Sequence, residues 1–430
     1  MTEPANRGRG WLLPMLVVVV SLGYGVATRR LGQPPITDYW EYAVTASRLL
    51  KHGTVISALI PGDDETAPSN LQPPAYTALV ACVYAVLGDQ TPASTLALQL
   101  INVLAAAGTV SLASSAARRL FGIRAGWCAG FVTAIHPNVF RFTMFIWDTS
   151  VFTCAVALSV WIAACWPADS KLNRRWVAYG LLLGALAHLN PSLTTSYPLL
   201  ILWPASRVFG WRPGSLLRAS TLALLGWAVA IAPWCLRNHT HFDRWSYIRG
   251  GLGLEFWLGF CPEADGTPAE AFHGCFALKN DAERQRAIAL GEQAYYDDCM
   301  NRARLEMNAD PRRVVRLIST RFVDYWTGNA WTGRVWERFH RSKAQVLGVL
   351  FFTLETVLLG CGLLLYARRR RELLWLAAIL FTFSAVYWIT HIMIRYRAPM
   401  EPVLAIALSL PLSLWAERLL GRKPGTSATV

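Results

Sequence analysis

VLGVLFFTLETVLLGCGLLLYARRRRELLWLAAILFTFSAVYWITH, residues 346 to 391, decides the fold class. Two apolar runs, 346–366 and 372–391, flank Arg368, Arg369, Arg370 and Arg371. Each run has the roughly 20 residues that a helix needs to cross a hydrocarbon core. A short, strongly basic loop between two spans stays on the cytoplasmic side.

The same alternation recurs upstream and downstream. Spans are read at 11–28, 95–117, 124–139, 144–166, 176–190, 193–206, 215–236, 346–366, 372–391 and 398–417. Basic clusters fall between them: Arg118, Arg119 and Arg124; Lys171, Arg174 and Arg175; Arg207, Arg212 and Arg218; and, at the end, Arg418, Arg422 and Lys423. With the N-terminus inside, every one of these clusters is also inside. The first run follows Arg7 and Arg9, lacks a small-x-small cleavage site and reads as a retained signal anchor. Pro74 to Gly88 is short for a span and would invert all later loops if it crossed, so it reads as a helix at the outer interface. The expected fold is an all-α polytopic membrane protein.

The 430 residues are 54% hydrophobic, and the net charge of +14 is largely spent on punctuating apolar runs, which leaves no basic stripe for nucleic acid. Three regions follow: 1–236, a transmembrane module that includes the outer loop 29–94; 237–345, an outer subdomain; and 346–430, the C-terminal spans. In the loop 29–94, Thr37-Asp38-x-x-Glu41 matches a helix-capping box. Trp40, Ala43, Ala46, Leu49 and Leu50 then recur at helical spacing up to Gly53, as in a helix lying flat on the membrane with its apolar stripe down. Pro61 to Asn70 reads as a polar loop and Pro73-Pro74 starts the second short helix. In the outer subdomain, Asp281 to Met307 reads as one helix, and Asp310-Pro311 caps another that runs to about Trp326. Among the nine Cys, Cys261 and Cys275 form a disulfide in an oxidising space or stay reduced with Cys299. No Cys-x-x-Cys pair, internal repeat, phosphate loop, Gly-x-Ser-x-Gly elbow or His-Glu-x-x-His is present.

Carboxylates near a bilayer boundary are costly and point to chemistry. Asp38 and Glu41 follow the first span, and Asp148 stands at the mouth of another. Asp38 suits a helix N-cap and equally a general base, since a capped carboxylate is rigidly placed. Asp148 reads as a second acid facing the same outer space, able to position an acceptor or raise the basicity of Asp38. Short outer segments should be poor in Arg, yet His391, Arg395 and Arg397 share one turn, Arg237 ends a span before His239 and His241, and Arg141 lies in another turn. Guanidinium groups there suit an anionic phosphate on a lipid. Asp63-Asp64-Glu65 reads as a solvated loop able to hold a cation, and Asn238-His239-Thr240 matches a glycosylation acceptor.

Taken in order, Asp38-Tyr39-Trp40-Glu41-Tyr42-Ala43, Leu71-Gln72-Pro73-Pro74-Ala75-Tyr76, Ala117-Arg118-Arg119-Leu120-Phe121-Gly122, Trp147-Asp148-Thr149-Ser150, Pro233-Trp234-Cys235-Leu236-Arg237-Asn238 and Arg395-Tyr396-Arg397-Ala398-Pro399 carry a resemblance over nearly the whole chain. The chain resembles the GT-C fold glycosyltransferases, in particular bacterial relatives of protein O-mannosyltransferases and of lipid A aminoarabinose transferase. The resemblance implies a bundle of about 10–11 transmembrane helices, with amphipathic helices in the first outer loop and a small outer helical subdomain. It implies transfer of a sugar from a polyprenyl-phosphate donor to a lipid, glycan or protein acceptor on the outer face of a bacterial inner membrane, with inversion. Asp38 then matches the catalytic base, and Asp148, with Glu41, the further acidic positions. Arg237 and Arg397, with Arg395, Gln72 and His391, match the positions around the donor phosphate. Two departures remove a cation: Gln72 stands where aminoarabinose transferases carry Lys, and Asn190 where many relatives carry Arg. No metal site and no cofactor is read, and a divalent cation is left open. Partners are the lipid-linked sugar, the acceptor and membrane lipids. The competing readings are a transporter or flippase of a lipid-linked saccharide and a non-catalytic member of an envelope-assembly complex. A transporter's mid-span polar sites and paired broken helices are not visible.

Overall fold

The computed structural model describes residues 10–34, 41–56, 68–167, 173–266, 274–328 and 343–419. No strand occurs among them. The helices are α1 (Leu12–Ala27), α2 (Glu41–His52), α3 (Pro74–Leu87), α4 (Pro92–Phe121), α5 (Ile123–Ile135), α6 (Thr149–Cys165), α7 (Asn173–Ala187), α8 (Tyr197–Phe209), α9 (Pro213–Phe242), α10 (Leu252–Phe260), α11 (Asp281–Leu290), α12 (Glu292–Ala309), α13 (Pro311–Thr327), α14 (Lys343–Tyr366), α15 (Glu372–Ile389) and α16 (Glu401–Leu419), with shorter helical turns between some of them. Each apolar run of the sequence has become a helix, though the helix expected from 144 starts only at Thr149 and that expected to end at 236 runs on to Phe242. The runs expected from 193 and 398 open on 3-10 turns, Pro191–Ser196 and Ala398–Met400.

Among the described residues, five segments are long and apolar enough to cross a membrane: α4, α9, Val346–Tyr366, α15 and Arg395–Leu419. α1, α3, α5 and α6 are shorter apolar helices. Exposed Leu347, Leu350, Leu354 and Val357 on α14, and Leu217, Leu224, Leu225 and Val229 on α9, form aliphatic faces of the kind that lipid covers. The protein is an all-α polytopic membrane fold. Between α4 and α5 the chain reverses at Gly122, whose φ of 98° suits glycine. α7 and α9 pack almost backbone to backbone. A methyl on Gly180 would overlap the carbonyl of Ala223, and one on Gly226 that of Val177. Small residues of this kind drive helix association in lipid.

The two ends of the bundle separate the loops as the parity argument requires. At one end, Gln99 Nε2 donates to Arg30 O at 2.9 Å and to Met144 O at 3.2 Å, joining the end of α1, the start of α4 and the turn before α6. Ala75 N donates to His188 O at 3.0 Å, joining the starts of α3 and of the 188–196 segment. At the other end, Arg207 donates to Ala164 O at 2.7 Å, Trp211 stacks on Trp375, and Arg124 pairs with Glu417. Lys171, Arg422 and Lys423 lie outside the described residues.

Two expectations are corrected. The apolar stripe of α2 is not turned to the membrane. Tyr42, Ala43 and Ala46 are buried against Tyr76, Val80, Ala81 and Tyr84 of α3, because α3 offers an apolar face that water and headgroups do not. Asp281 to Met307 is two helices, broken at Gly291, whose φ of 76° takes the left-handed region.

The subdomain after α9 has its own core, built from Leu254, Trp257, Leu258, Tyr295, Tyr296 and Ala303. Cys261 and Cys275 are joined by a disulfide, and Cys299 is a buried thiol. Two arginines of α13 clamp this unit to the bundle. Arg313 donates to the carbonyls of Phe260, Cys261, Pro262 and Ala264. Arg321, almost fully buried, donates to those of Trp388, Ile389, Thr390 and Gly259. Apart from Pro262 and Ala264, which follow α10, these are carbonyls at the C-terminal ends of α10 and α15, which helices leave unsatisfied, and a cation there also complements the helix dipole. The clamp fixes where the 390–397 turn stands.

Candidate functional site

A cleft opens at the end of the bundle that carries the subdomain. It is lined by Tyr42, Gln72, Asp148, Thr149, Phe152, Asn190, Arg249, Tyr387, Arg395, Tyr396 and Pro399. It measures about 40 Å³, room for a few waters. A larger cavity of about 600 Å³ beside Trp211 and Arg212 lies at the opposite end and has no carboxylate in its wall. Of the site residues read from sequence, Asp148, Gln72 and Arg395 therefore come together. Asp38 lies outside the described residues, as does the side chain of Glu41, whose backbone opens α2; Asp63, Asp64 and Glu65 lie outside them too.

Asp148 immediately precedes α6 and is 7% exposed. The turn before it is fixed by Asn102, which donates to Phe145 O at 2.8 Å, and by Gln99 on Met144 O. Trp147 stacks on Phe145 at 5.0 Å, and the Arg395 guanidinium lies over the Trp147 ring at 4.7 Å. Asn190 Nδ2 donates to Asp148 Oδ2 at 3.1 Å. The amide cannot turn round, because Asn190 Oδ1 accepts from Ser192 N at 3.1 Å and from Ser192 Oγ at 2.8 Å. Tyr387 Oη in turn donates to Ser192 Oγ at 2.9 Å. Burial raises the Asp148 carboxyl above the ordinary carboxylate value, against the opposing pull of Arg395, Asn190, Tyr42 and Arg249.

The far wall comes from the subdomain and the 390–397 turn. Arg249 Nη2 lies 2.7 Å from Glu255 Oε1, and His391 Nδ1 lies 2.8 Å from Glu255 Oε2. His391 Nε2 is 3.3 Å from Tyr396 Oη, and Tyr396 stacks on Tyr387 at 4.5 Å. Burial alone would raise the Glu255 carboxyl, but Arg249 and His391 overcome it and hold the group down to about 2. His391 is thus a buried partner of Glu255 and does not line the cleft. Arg249 and Glu255 are the site residues that the sequence does not flag: Arg249 lies in the segment before α10 and Glu255 on α10 itself, and neither belongs to a motif. Tyr42, Asn190 and Tyr396 lie inside or beside recognisable motifs but carry no charge to draw attention.

Arg237 and Arg397 stand elsewhere. Arg237 lies against the Trp234 and Phe242 rings and donates to Ser69 O at 2.9 Å and Asn238 Oδ1 at 3.0 Å, holding the segment that leads to Gln72. Asn238 is fully buried and donates to Tyr247 O, so it is no accessible glycosylation acceptor. Arg141 is half-buried over the Phe142 ring. Arg397 is 5% exposed and already neutralised, with Glu355 at 2.9 Å and Glu401 at 3.0 Å. This corrects its placement beside a donor phosphate: the guanidinium faces two buried carboxylates.

His136 joins those carboxylates, with Nε2 3.3 Å from Glu355 and 3.2 Å from Glu401. Three donors of this kind could hold a metal ion. Their hydrogen bonding argues against it. His136 Nδ1 accepts from Asn138 N at 3.1 Å, so the imidazole proton sits on Nε2, where a metal would have to bind. The cation of the cluster is Arg397.

No family model matches the chain, and no curated protein matches it. Among solved structures, the chain is similar to ArnT from Cupriavidus metallidurans bound to undecaprenyl phosphate, at 15% identity and a TM-score of 0.40, covering 96% of this chain and 79% of that one. Apo ArnT gives 14% identity and 0.35. The chain is also similar to the archaeal oligosaccharyltransferase AglB from Archaeoglobus fulgidus in complex with an inhibitory peptide and a dolichol-phosphate, at 14% identity and a TM-score of 0.48, covering 96% of this chain and 52% of that one.

Proposed function

We propose that the protein is an integral membrane glycosyltransferase. It moves a sugar from a polyprenyl-phosphate carrier to an acceptor lipid, glycan or protein on the outer face of a bacterial inner membrane. The observation that carries this reading is a buried Asp148 sharing one cleft with the guanidinium groups of Arg249 and Arg395. The donor phosphate lies against these two cations. The acceptor oxygen or nitrogen attacks the anomeric carbon, the bond from that carbon to the phosphate oxygen breaks, and the carrier leaves with the electron pair. Asp38, four residues before Tyr42 of the cleft wall, takes the acceptor's proton, and Asp148 orients the acceptor. A single displacement inverts the anomeric centre. Charge stabilisation of the leaving phosphate by preorganised donors supplies much of the rate.

The test uses the full chain in nanodiscs with undecaprenyl phosphate as probe. Arg395→Ala and Arg249→Ala each weaken binding by roughly tenfold, the scale of one lost hydrogen bond to a charged group. Asp38→Asn keeps the protein folded and abolishes transfer. Unchanged turnover in that variant removes Asp38 from the mechanism, and wild-type affinity in both arginine variants removes the phosphate from the cleft. Mass changes in surface lipids, glycans and proteins after gene deletion identify sugar and acceptor together.

A further inference from the structure

The two walls of the cleft come from distant parts of the chain. Asp148 and Asn190 stand at the mouth of the bundle, and Arg249 stands in the segment that leads into α10. The gap between the walls has to be set, because a hydrogen bond to an anion weakens steeply once distance and angle depart from the optimum.

The path from one wall to the other is short, and each step is a hydrogen bond or a stiff piece of backbone. His188 O accepts from Ala75 N at 3.0 Å, which ties the start of α3 to the segment that carries Asn190. Pro73 and Pro74 fix the backbone just before Ala75, and a residue ahead of proline is itself restricted, so Gln72 follows rigidly. Two residues earlier stands Asn70, which has no exposed surface. Each of its four polar groups is engaged. The backbone N donates to Glu292 Oε1 at 3.0 Å, and the backbone O accepts from Gly250 N at 3.0 Å. Nδ2 donates to Ser246 Oγ at 3.1 Å, and Oδ1 accepts from Gln293 Nε2 at 3.0 Å. All four partners lie beyond α9, on the side of the outer subdomain.

Gly250 packs so closely on the Asn70 side chain that a methyl there would come within 2.2 Å of Oδ1. Arg249 is the residue before this glycine. Ser246 and Gly250 bracket it, and both are held by Asn70. Tyr247 and Ile248, between them, are held by α9: Asn238 donates to Tyr247 O at 2.8 Å and Trp234 to Ile248 O at 3.0 Å.

We propose that Asn70 is a positioning residue for lipid-phosphate binding, which sets the backbone of Arg249 against the wall that carries Gln72 and Asp148. This rests on the reading of the cleft as a lipid-phosphate site. Asn70 is not among the residues that line the cleft. It acts through Arg249, whose guanidinium Glu255 then aims. Aspartate cannot replace it, having no Nδ2 donor and bringing a second carboxylate beside Glu292.

The experiment measures the Kd of undecaprenyl phosphate for the full chain in nanodiscs, with amide exchange on the same samples. The proteins are wild type, Asn70→Ala, Arg249→Ala and the double variant. Asn70→Ala removes two side-chain hydrogen bonds. It should weaken binding by roughly fivefold, the scale of one or two net hydrogen bonds, and raise exchange over 246–251. In the Arg249→Ala background the same change should cost less than about twofold, because residues that act as one unit are not additive. A loss by the same factor in both backgrounds makes Asn70 a general support of the fold and overturns the proposal. Wild-type affinity in Asn70→Ala overturns it too, since α9 alone then places Arg249. If Asn70→Ala does not fold, Ser246→Ala combined with Gln293→Ala removes the same two bonds from partly exposed positions and is read in the same way. Gly250→Ala forces Arg249 away from an intact Asn70 and should cost more affinity than Asn70→Ala. Adding Asn70→Ala to it should restore part of the loss by making room for the methyl. If wild type itself does not bind undecaprenyl phosphate, the functional reading falls and this inference with it, whereas normal wild-type binding beside an unaffected Asn70→Ala removes this inference alone.

Discussion

Asn190 Nδ2 donates to Asp148 Oδ2 at 3.1 Å, and Ser192 locks that amide from behind. A position that reads in the sequence as a lost cation is therefore a neutral donor dedicated to the buried acid. A neutral donor leaves Asp148 with less compensating charge than an arginine would, which fits a carboxyl raised by burial. Replacing the donor with an acceptor should expose this. Asn190→Asp puts two carboxyls at hydrogen-bond distance, where they have to share a proton. Burial and the shared proton then raise the second ionisation of the pair above the unfolded carboxylate values. The pair supports the fold below the unfolded values, and that support is lost as pH rises through the folded values. Asn190→Asp should match wild type in thermal unfolding at pH 4 and fall short at pH 8 by roughly 1–3 kcal/mol, the cost of an unsatisfied buried group. Equal destabilisation at both pH values contradicts this.

The spans were legible because lipid requires long uninterrupted apolar runs, and the limits of two outer helices because Pro311 fills a first-turn position and Gly88 follows a last one. Asp148 was legible as a lone acid at a span mouth. The opposite wall was not, since Glu255 and His391 lie far apart in the chain and meet only when Arg313 and Arg321 dock the subdomain. Arg397 misled for a local reason. As a cation in a short turn it looks available, but Glu401 four residues on is its partner through one helical turn, and Glu355 arrives from α14.

Arg397 accordingly belongs to stability. Truncating one partner of a buried ion cluster leaves uncompensated charge and costs about 3–5 kcal/mol. Arg397→Met should lower the denaturation temperature in detergent sharply, whereas Arg395→Ala, in an open cleft, should shift it little and weaken phosphate binding. Adding Glu355→Gln and Glu401→Gln to Arg397→Met should recover much of the loss. An Arg397→Met protein with wild-type stability would show that the cluster does not bear on the fold.

Glu255 should mark the acid limit of the subdomain. Arg249 and His391 hold its carboxyl down to about 2, below the roughly 4.3 of an unfolded glutamate, in spite of burial. A lowered folded pKa gives stability above the unfolded value and loses it as pH falls through the folded one. Wild type should therefore shed stability between about pH 4.3 and pH 2 more steeply than Glu255→Gln. Parallel acid-unfolding curves for the two proteins would rule out the ion pair as the cause.

The Cys261–Cys275 disulfide should stabilise the subdomain and leave the bundle alone. It closes a loop with a sequence separation of 14 beside a core that has no membrane helix in it. Cross-linking a loop of this size restricts the unfolded chain by about 3 kcal/mol. Reduction, or Cys261→Ser with Cys275→Ser, should raise amide exchange across α10 to α12 and leave α4 and α9 unchanged. Because Glu255 sits on α10 and anchors both Arg249 and His391, reduction should also weaken undecaprenyl phosphate binding severalfold without touching any cleft residue. Exchange that rises evenly over bundle and subdomain would mean that the two unfold as one unit, and the coupling through α10 would have to be abandoned.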